Sequence, residues 1–240
     1  MKSIKLMLLG WLLCLSPVWA AGVVRVGINA SYAPFESVDD HGRLSGFDID
    51  VVTAWAKTQG VTVKLVNLPW PQLLGALSDG RVDMVVSAVA DTPERRARFE
   101  LSQPYHYEPQ VLLVPAHGGK DDVRAIDGIG VLIDSSAIGW LRRLRVPDAA
   151  LRRYNGLPPM LADLKAGDLQ GAFGDLHVLR RASAGDPSLR LVSRPDFGQD
   201  AYVFVVRKGD RALLTQANQG LARMTADGTL KRLHQSWPGL

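Results

Sequence analysis

Short apolar runs alternate with helical patterns of apolar residues along most of the chain. Residues 23–28 and 82–89 are near-continuous apolar runs, which are typical of strands covered on both faces. Between them, a segment that places Phe47, Val51 and Trp55 on one face predicts a helix. A further strand and a further helix pattern precede the second run. The alternation predicts a βαβαβ unit with parallel strands and right-handed crossovers.

The same order of strands and helices returns between residues 129 and 173. Two extended apolar runs, residues 108–114 and 201–206, separate the halves, and we predict that they carry the chain from one lobe to the other and back. The expected division is a first lobe of residues 21–109 and 203–240 and a second lobe of residues 110–202.

The N-terminus has the three-part layout of a secretory signal. Lys2 and Lys5 form a short positive region, residues 6–15 are apolar, and small or branched residues lead up to Ala20. The apolar stretch is shorter than the roughly 20 residues of a membrane-spanning helix. We therefore predict a signal peptide over residues 1–20, cleavage after Ala20, and a periplasmic mature chain that is not inserted in the membrane.

Charge and composition exclude several classes of function. The formal net charge of +4 falls to +2 once Lys2 and Lys5 are removed, which is too balanced to indicate nucleic-acid binding. The single cysteine, Cys14, lies in the predicted signal, so the mature chain is expected to use neither disulfides nor thiol chemistry. The histidines, at positions 41, 106, 117, 177 and 234, show no metal-ligand spacing. The sequence therefore predicts no metal and no cofactor.

In open α/β sheets, ligands bind at the carboxyl ends of the strands. Residues 87–95 follow an apolar run at that position, and Thr92-Pro93 predicts the capped start of a helix there. Arg95 at such a start offers a planar fork that matches a carboxylate. A surface arginine on a short helix explains the same residues equally well, so the sequence pattern alone leaves both interpretations open.

Six short motifs occur in order along the chain. They are YAPFE at 32–36, GFDIDV at 46–51, GRVD at 80–83, TPER at 92–95, SQPY at 102–105 and ADGT at 226–229. In these motifs the chain resembles the family 3 bacterial extracellular solute-binding proteins, the amino-acid receptors of ABC importers. The resemblance covers essentially all of the mature chain. It implies an α/β, two-lobed periplasmic-binding-protein fold of type II, in which each lobe is a mostly parallel sheet flanked by helices and two strands form the hinge.

The resemblance implies a ligand clamp made by residues of both lobes. Arg95 matches the arginine that binds an α-carboxylate, and Ser136 with its neighbour Ser135 matches a hydroxyl pair that meets the same group. Asp175 matches the aspartate that takes an α-ammonium, although the residues alone favour Asp175 as a cap of the following helix. An arginine in one lobe and an aspartate in the other reach one zwitterion only when the lobes close.

The resemblance also implies residues that surround the rest of the ligand. Ser87 and the backbone of Ala88 match positions beside the amino group. Tyr32 and Trp70 match aromatic positions that flank the ligand's side chain. Without the resemblance, both aromatic residues are explained as ordinary half-buried side chains. The family pattern therefore adds four ligand-binding candidates to the clamp.

Four positions depart from the family pattern. Ala90 stands where many members have serine, threonine or glycine, and Asn29 where receptors for basic amino acids often have aspartate. Asp134 stands where glycine is usual, and Gln170 where aspartate is customary. Both Ala90 and Asn29 are kept as ligand-binding candidates, and Asn29 argues against a pocket for lysine or arginine. The predicted ligand is an amino acid, and a dipeptide-like, opine-like or simple carboxylate ligand remains open.

Two other functions are compatible with this resemblance. Periplasmic cyclohexadienyl dehydratases share the fold, and Glu36 and His177 are the candidates for such acid–base chemistry. The fold also serves as the sensing part of signalling receptors. In that case this chain would bind to a separate receptor protein. The preferred interpretation is a non-catalytic, monomeric binding protein that hands a small-molecule ligand to an ABC permease.

Overall fold

The computed structural model describes residues 22–240, so the predicted signal peptide lies outside the described residues. The strands are β1 Val23–Ile28, β2 Ser31–Tyr32, β3 Glu36–Val38, β4 Leu44–Ser45, β5 Thr62–Asn67, β6 Met84–Val85, β7 Phe99–Pro115, β8 Ile129–Leu132, β9 Leu151–Tyr154, β10 Gly171–Asp175, β11 Leu189–Val192 and β12 Gln199–Arg207. The helices are α1 Phe47–Gln59, α2 Trp70–Ser78, α3 Pro93–Arg98, α4 Ala137–Arg143, α5 Leu157–Ala166, α6 Leu176–Ala182, α7 Arg211–Ala226 and α8 Thr229–Ser236. Among these helices, none is both long enough and apolar enough to cross a bilayer.

The main sheet has the strand order β5-β1-β6-β12-β7-β10-β8-β9, with β11 beside β7. β5, β1 and β6 are parallel neighbours, and so are β10, β8 and β9. β7 pairs antiparallel with β12 through its first part and with β10 through its last part. The long strands β7 and β12 therefore join two mostly parallel groups of strands, each with its own helices. This is the α/β architecture that the resemblance implies.

Alternation along β12 separates two apolar layers, because successive side chains of a strand point to opposite faces. Tyr202 and Phe204 pack in a cluster with Trp55 of α1 on one face of the sheet. Val203 packs with Leu73 of α2 on the other face. At β12 the sheet is thus covered on both faces.

The apolar run over residues 82–89 is buried but only briefly extended, so the prediction of one strand over the whole run is wrong. β6 covers Met84–Val85 alone. Ala88 has a φ of +47°, and its N–H donates to a carboxylate oxygen of Asp48 at 2.6 Å. This left-handed turn, fixed by a tertiary hydrogen bond, takes the backbone out of the sheet and brings residues 87–90 to the carboxyl end of β6.

Gly46, just before α1, has a φ of +143°, and a Cβ there would lie 2.0 Å from the carbonyl oxygen of Phe35. We expect Gly46→Ala to lower the free energy of unfolding by more than about 3 kcal/mol, because backbone strain and overlap add. The control is Gly60→Ala, at a φ of +63° with no atom within 4 Å of its Cβ, which should cost about 1–2 kcal/mol. Urea unfolding measures both, and equal losses would contradict the steric overlap assigned to Gly46.

Candidate functional site

A cavity of about 130 Å³ lies where the carboxyl ends of β1, β6, β8 and β10 meet. It has room for on the order of ten water molecules, which suits a small organic ligand. Both groups of parallel strands contribute to its wall. Nine of the ten predicted ligand-binding residues line it: Asn29, Tyr32, Trp70, Ser87, Ala88, Arg95, Ser135, Ser136 and Asp175. The tenth, Ala90, lies behind the wall.

Arg95 is buried in the first turn of α3, where Thr92 caps the helix by accepting from the Arg95 N–H at 3.3 Å. Its Nη1 donates to the carbonyl of Ala90 at 2.7 Å and its Nη2 to that of Asp134 at 2.9 Å. The guanidinium carbon also lies 5.5 Å from the ring centroid of Trp70. A guanidinium has five N–H donors, so donors remain for a carboxylate while the fork is held in place.

The two groups of strands are bridged across the cavity by residues that line it. Arg95 bridges them through its hydrogen bond to the carbonyl of Asp134, and Trp70 Nε1 donates to the carbonyl of Ile133 at 2.9 Å. The hydroxyl of Tyr32 donates to Asp175 Oδ2 at 2.6 Å. Residues that the resemblance assigns to the ligand therefore also hold the two groups together, so the geometry of binding and the geometry of closure are linked.

Asp175 is buried at the end of β10, directly before α6. Its side chain accepts no capping hydrogen bond from α6, so the interpretation as a helix cap is wrong. Oδ2 accepts instead from the hydroxyls of Tyr32 and Tyr202, at 2.6 and 2.5 Å, and Oδ1 accepts from Gln110 Nε2 at 2.5 Å. The carboxylate is thereby aimed along the cavity wall rather than at the helix.

The surroundings of Asp175 are electrostatically negative. Burial, followed by the nearby carboxylates of Asp200 and Glu108, raises the pKa of Asp175 to about 7. The hydrogen bonds from the two tyrosines act in the opposite direction but do not cancel this rise. A positively charged group in the cavity would favour the ionised carboxylate, because opposite charges at short range stabilise each other. This end of the cavity is therefore suited to a cation.

The two serines after β8 use their hydroxyl hydrogens within the protein. Ser136 Oγ donates to the carboxylate of Asp200, which also accepts from Trp140 Nε1 at 2.8 Å. Ser135 Oγ donates to the carbonyl of Leu132 at 2.7 Å. In this arrangement, a ligand meets the oxygen atoms or the backbone of these serines rather than a free hydroxyl hydrogen.

The departures from the family pattern have structural counterparts. Asp134 has a φ of +54°, in the left-handed region where glycine is least strained and aspartate is among the tolerated residues. Ala90 contributes its carbonyl, which accepts from the guanidinium, instead of its side chain. The Asn29 amide is held on both sides, since Oδ1 accepts from Ser31 Oγ at 2.5 Å and Nδ2 donates to the carbonyl of Leu68 at 3.0 Å.

Ser87 and Ala88 are positioned by two buried acids. Ser87 Oγ donates to Glu36 Oε1 and accepts from the N–H of Asn29 at 3.0 Å. Asp48, in the first turn of α1, accepts from the N–H of Ala88. The hydrogen of the Ser87 hydroxyl is thereby committed to Glu36, which leaves an oxygen lone pair for a donor in the cavity. An ammonium group is a donor of that kind.

Glu36→Gln is expected to leave the free energy of unfolding within about 1 kcal/mol of the wild type. Burial, and next the adjacent Asp48 carboxylate, raises the pKa of Glu36 well above its usual range, which favours the neutral acid, and glutamine reproduces the shape of that acid. Glu36→Ala should cost about 2–4 kcal/mol, because it leaves a cavity and takes a partner from Ser87. Urea unfolding at pH 7 compares them, and equal losses would refute the neutral acid.

The structure adds three residues that the sequence analysis did not single out. Tyr202 and Gln110 hold Asp175, and Asp200 holds Ser136. Gln110 and Tyr202 lie in the two extended runs predicted to join the lobes, where a polar side chain inside a buried run is a usable signal. Asp200 carries no such signal, because its burial depends on how β12 pairs with β7.

The two candidates for acid–base catalysis are not brought together in the cavity. His177 does not line it, and its Nδ1 lies 2.5 Å from Glu108 Oε2 while its N–H donates to Glu108 Oε1 at 2.7 Å. Glu36 lines the cavity, but it is engaged with Ser87. The arrangement therefore holds groups for binding a ligand and does not pair an acid with a base.

The fold and the site define a two-lobed ligand-binding protein, in which a cavity between two groups of strands carries an arginine on one side and an aspartate on the other. The chain belongs to the bacterial extracellular solute-binding proteins, family 3, whose family model matches residues 24–239. Its fold is that of the type II periplasmic binding proteins, which confirms the resemblance inferred from the motifs.

Relatives and solved structures resemble the chain over most of its length. It is 30% identical over 221 residues to the probable histidine-binding protein of Neisseria gonorrhoeae, covering 90% of this chain and 82% of that protein. It is 29% identical to the L-cystine-binding protein TcyJ of Escherichia coli strain K12, covering 94% and 86%. An ancestral arginine-binding protein bound to arginine matches with a TM-score of 0.82 at 27% identity, covering 90% and 98%. These relatives are binding proteins, and this chain is a solute-binding protein rather than an enzyme.

Proposed function

We propose that the chain captures a zwitterionic amino acid whose side chain is uncharged. The observation that carries the proposal is that Arg95 and Asp175 face one cavity from opposite groups of strands. Arg95 takes the α-carboxylate with its remaining N–H donors, and Asp175 takes the α-ammonium with help from the Ser87 oxygen. The names of the relatives, which include proteins for histidine, cystine and arginine, support an amino acid as the ligand class.

The charges around the cavity support a ligand with an uncharged side chain. Among the described residues that line it, the ionisable side chains are Arg95, Asp175, Glu36 and Tyr32. The first two are used by the ligand's α-carboxylate and α-ammonium. Burial raises the pKa of Glu36 and of Tyr32 well above their usual ranges, which favours the neutral form of both side chains. Much of the remaining wall is apolar: Leu132, Ala137, Leu157, Pro158, Met160, Phe173, Val178 and Leu179. A ligand with a cationic side chain would therefore have no carboxylate in the cavity wall to pair with that side chain.

The proposed setting is import through a membrane transporter. The family is extracellular, and several relatives are named as binding proteins of ABC transporters. We infer that residues 1–20 direct export to the periplasm, that the mature chain is a monomer, and that the closed form delivers its ligand to an ABC permease. Closure supplies the signal for delivery, because the residues that line the cavity also bridge the two groups of strands.

A ligand panel tests the proposal. Calorimetry on the purified mature chain would compare histidine at pH 8, glutamine and cystine with arginine, lysine and glutamate. We expect saturable binding of at least one uncharged amino acid, with a rise in melting temperature by mass action. Arginine and lysine should bind at least tenfold more weakly. Tighter binding of arginine or lysine would contradict the proposed class, and no binding of any amino acid would refute the function.

A further inference from the structure

A second polar cluster lies at the junction of the two groups of strands, outside the ligand cavity. His106 and Glu108 are two residues apart on β7 and therefore share one face of the strand, and His177 lies in the first turn of α6. Glu108 Oε2 is 2.9 Å from His106 Nε2 and 2.5 Å from His177 Nδ1. The three atoms lie within 4.8 Å of one another, and none of these residues lines the cavity.

The geometry points to a binding site for a divalent transition-metal ion of the zinc type, made by His106 Nε2, Glu108 Oε2 and His177 Nδ1. Two imidazoles and one carboxylate are a ligand set that Zn²⁺ takes, with a fourth position left for water. Bonds of about 2.0–2.1 Å in a tetrahedron place the ligand atoms about 3.3 Å apart. Each nitrogen, now 2.9 or 2.5 Å from Oε2, reaches that spacing by moving less than about 1 Å away from Oε2. The two nitrogens, which lie within 4.8 Å of one another, have to be brought to the same spacing.

The surroundings already orient these ligands as a metal site requires. Glu108 Oε1 accepts from the N–H of His177 at 2.7 Å, which directs Oε2 at the two rings. His106 Nδ1 lies 3.4 Å from Nε2 of His234 on α8. With Nε2 on a metal, His106 carries its proton on Nδ1 and points it at His234. Metal-ligating histidines usually have such an outer partner, which fixes the tautomer and the ring orientation.

The ligand atoms are buried, so they would have to offset the cost of desolvating an ion, and an ion bound there would have a structural effect. His106 and Glu108 are almost fully buried, and the His177 ring is about one-eighth exposed, which leaves a path for entry. An ion there would join β7 to α6. It would also lie behind Tyr202, whose ring centroid is 5.5 Å from that of His106 and whose hydroxyl holds Asp175. The site is therefore distinct from the ligand cavity and is connected to it through Tyr202, which contacts the cavity residue Asp175.

Calorimetry with Zn²⁺ alone tests the site, using the mature chain without an affinity tag after treatment with a chelator. We expect one equivalent of Zn²⁺ to bind and to raise the melting temperature. His177→Ala should abolish this binding. His41→Ala, at an exposed histidine outside the cluster, should leave it unchanged. Absence of saturable binding in the wild type, or unchanged binding in His177→Ala, would overturn the proposal.

Two further measurements keep the test decisive if a variant folds poorly. Co²⁺ bound to the wild type should show the intense visible absorption of a four-coordinate ion, and the pale spectrum of six-coordinate Co²⁺ would overturn the site. His234→Ala should weaken Zn²⁺ binding about 10- to 100-fold without changing the stoichiometry, as is usual for an outer partner of a ligand. An unchanged affinity in His234→Ala would contradict the assigned orientation of His106.

Discussion

Replacing Arg95 by alanine is expected to weaken amino-acid binding by about two to three orders of magnitude, because the ligand's carboxylate loses its partner in a buried site. Arg95→Lys should fall between the wild type and alanine. Lysine keeps the charge but loses the planar fork, and it cannot reproduce the bonds to the carbonyls of Ala90 and Asp134. Calorimetry with the tightest-binding amino acid of the panel gives the affinities of the wild type, Arg95→Lys and Arg95→Ala.

The neighbouring arginine provides the control for this series. Arg96 is exposed and paired with Asp91 outside the cavity, so Arg96→Ala should leave the affinity within about twofold of the wild type. Melting temperatures of all variants show whether the fold is kept. An Arg95→Ala variant that folds and binds within threefold of the wild type would contradict the role of Arg95.

Asp175→Asn is expected to weaken amino-acid binding about 100-fold, since the substitution keeps the shape of the side chain and removes the charge that meets the ammonium. The contacts from Tyr32 and Tyr202 can persist, because the asparagine oxygen still accepts hydrogen bonds. The matched control is Asp168→Asn, at an exposed aspartate that precedes β10 and does not line the cavity, which should bind normally. Equal affinities in Asp175→Asn and the wild type would refute the assignment of the ammonium.

The apolar pattern predicted most of the fold, because burial on two faces leaves a continuous signal in the sequence. Phe47, Val51 and Trp55 are fully buried on one face of α1, as their spacing predicts. The run over residues 82–89 shows the limit of that signal. Its residues are buried, but the hydrogen bond that the Ala88 N–H donates to Asp48, 40 residues away, takes the backbone out of the sheet. Apolar spacing records burial and does not record such a tertiary contact.

The candidate site likewise has a part that the sequence predicted and a part that depends on tertiary contacts. The motifs led to residues that line the cavity, because the resemblance carries positions from one chain to another. The contacts of those residues depend on how distant elements pair, so they could not be predicted. Tyr32 and Asp175 are 143 residues apart, and the histidines at 106 and 177 meet only because β7 runs beside α6. Their scattered spacing hid the cluster around Glu108.

Crossing side-chain variants with ligand analogues tests whether Arg95 holds the carboxylate, and Asp175 the ammonium, of one and the same ligand. Calorimetry would measure the tightest amino acid of the panel, its α-amide and its deamino analogue against the wild type, Arg95→Ala and Asp175→Asn. We expect a coupling free energy of at least about 1.4 kcal/mol between Arg95 and the carboxylate, and the same between Asp175 and the ammonium. The two crossed pairs, Arg95 with the ammonium and Asp175 with the carboxylate, should show little coupling. Additive losses for the matched pairs, or stronger coupling for the crossed pairs, would contradict this assignment.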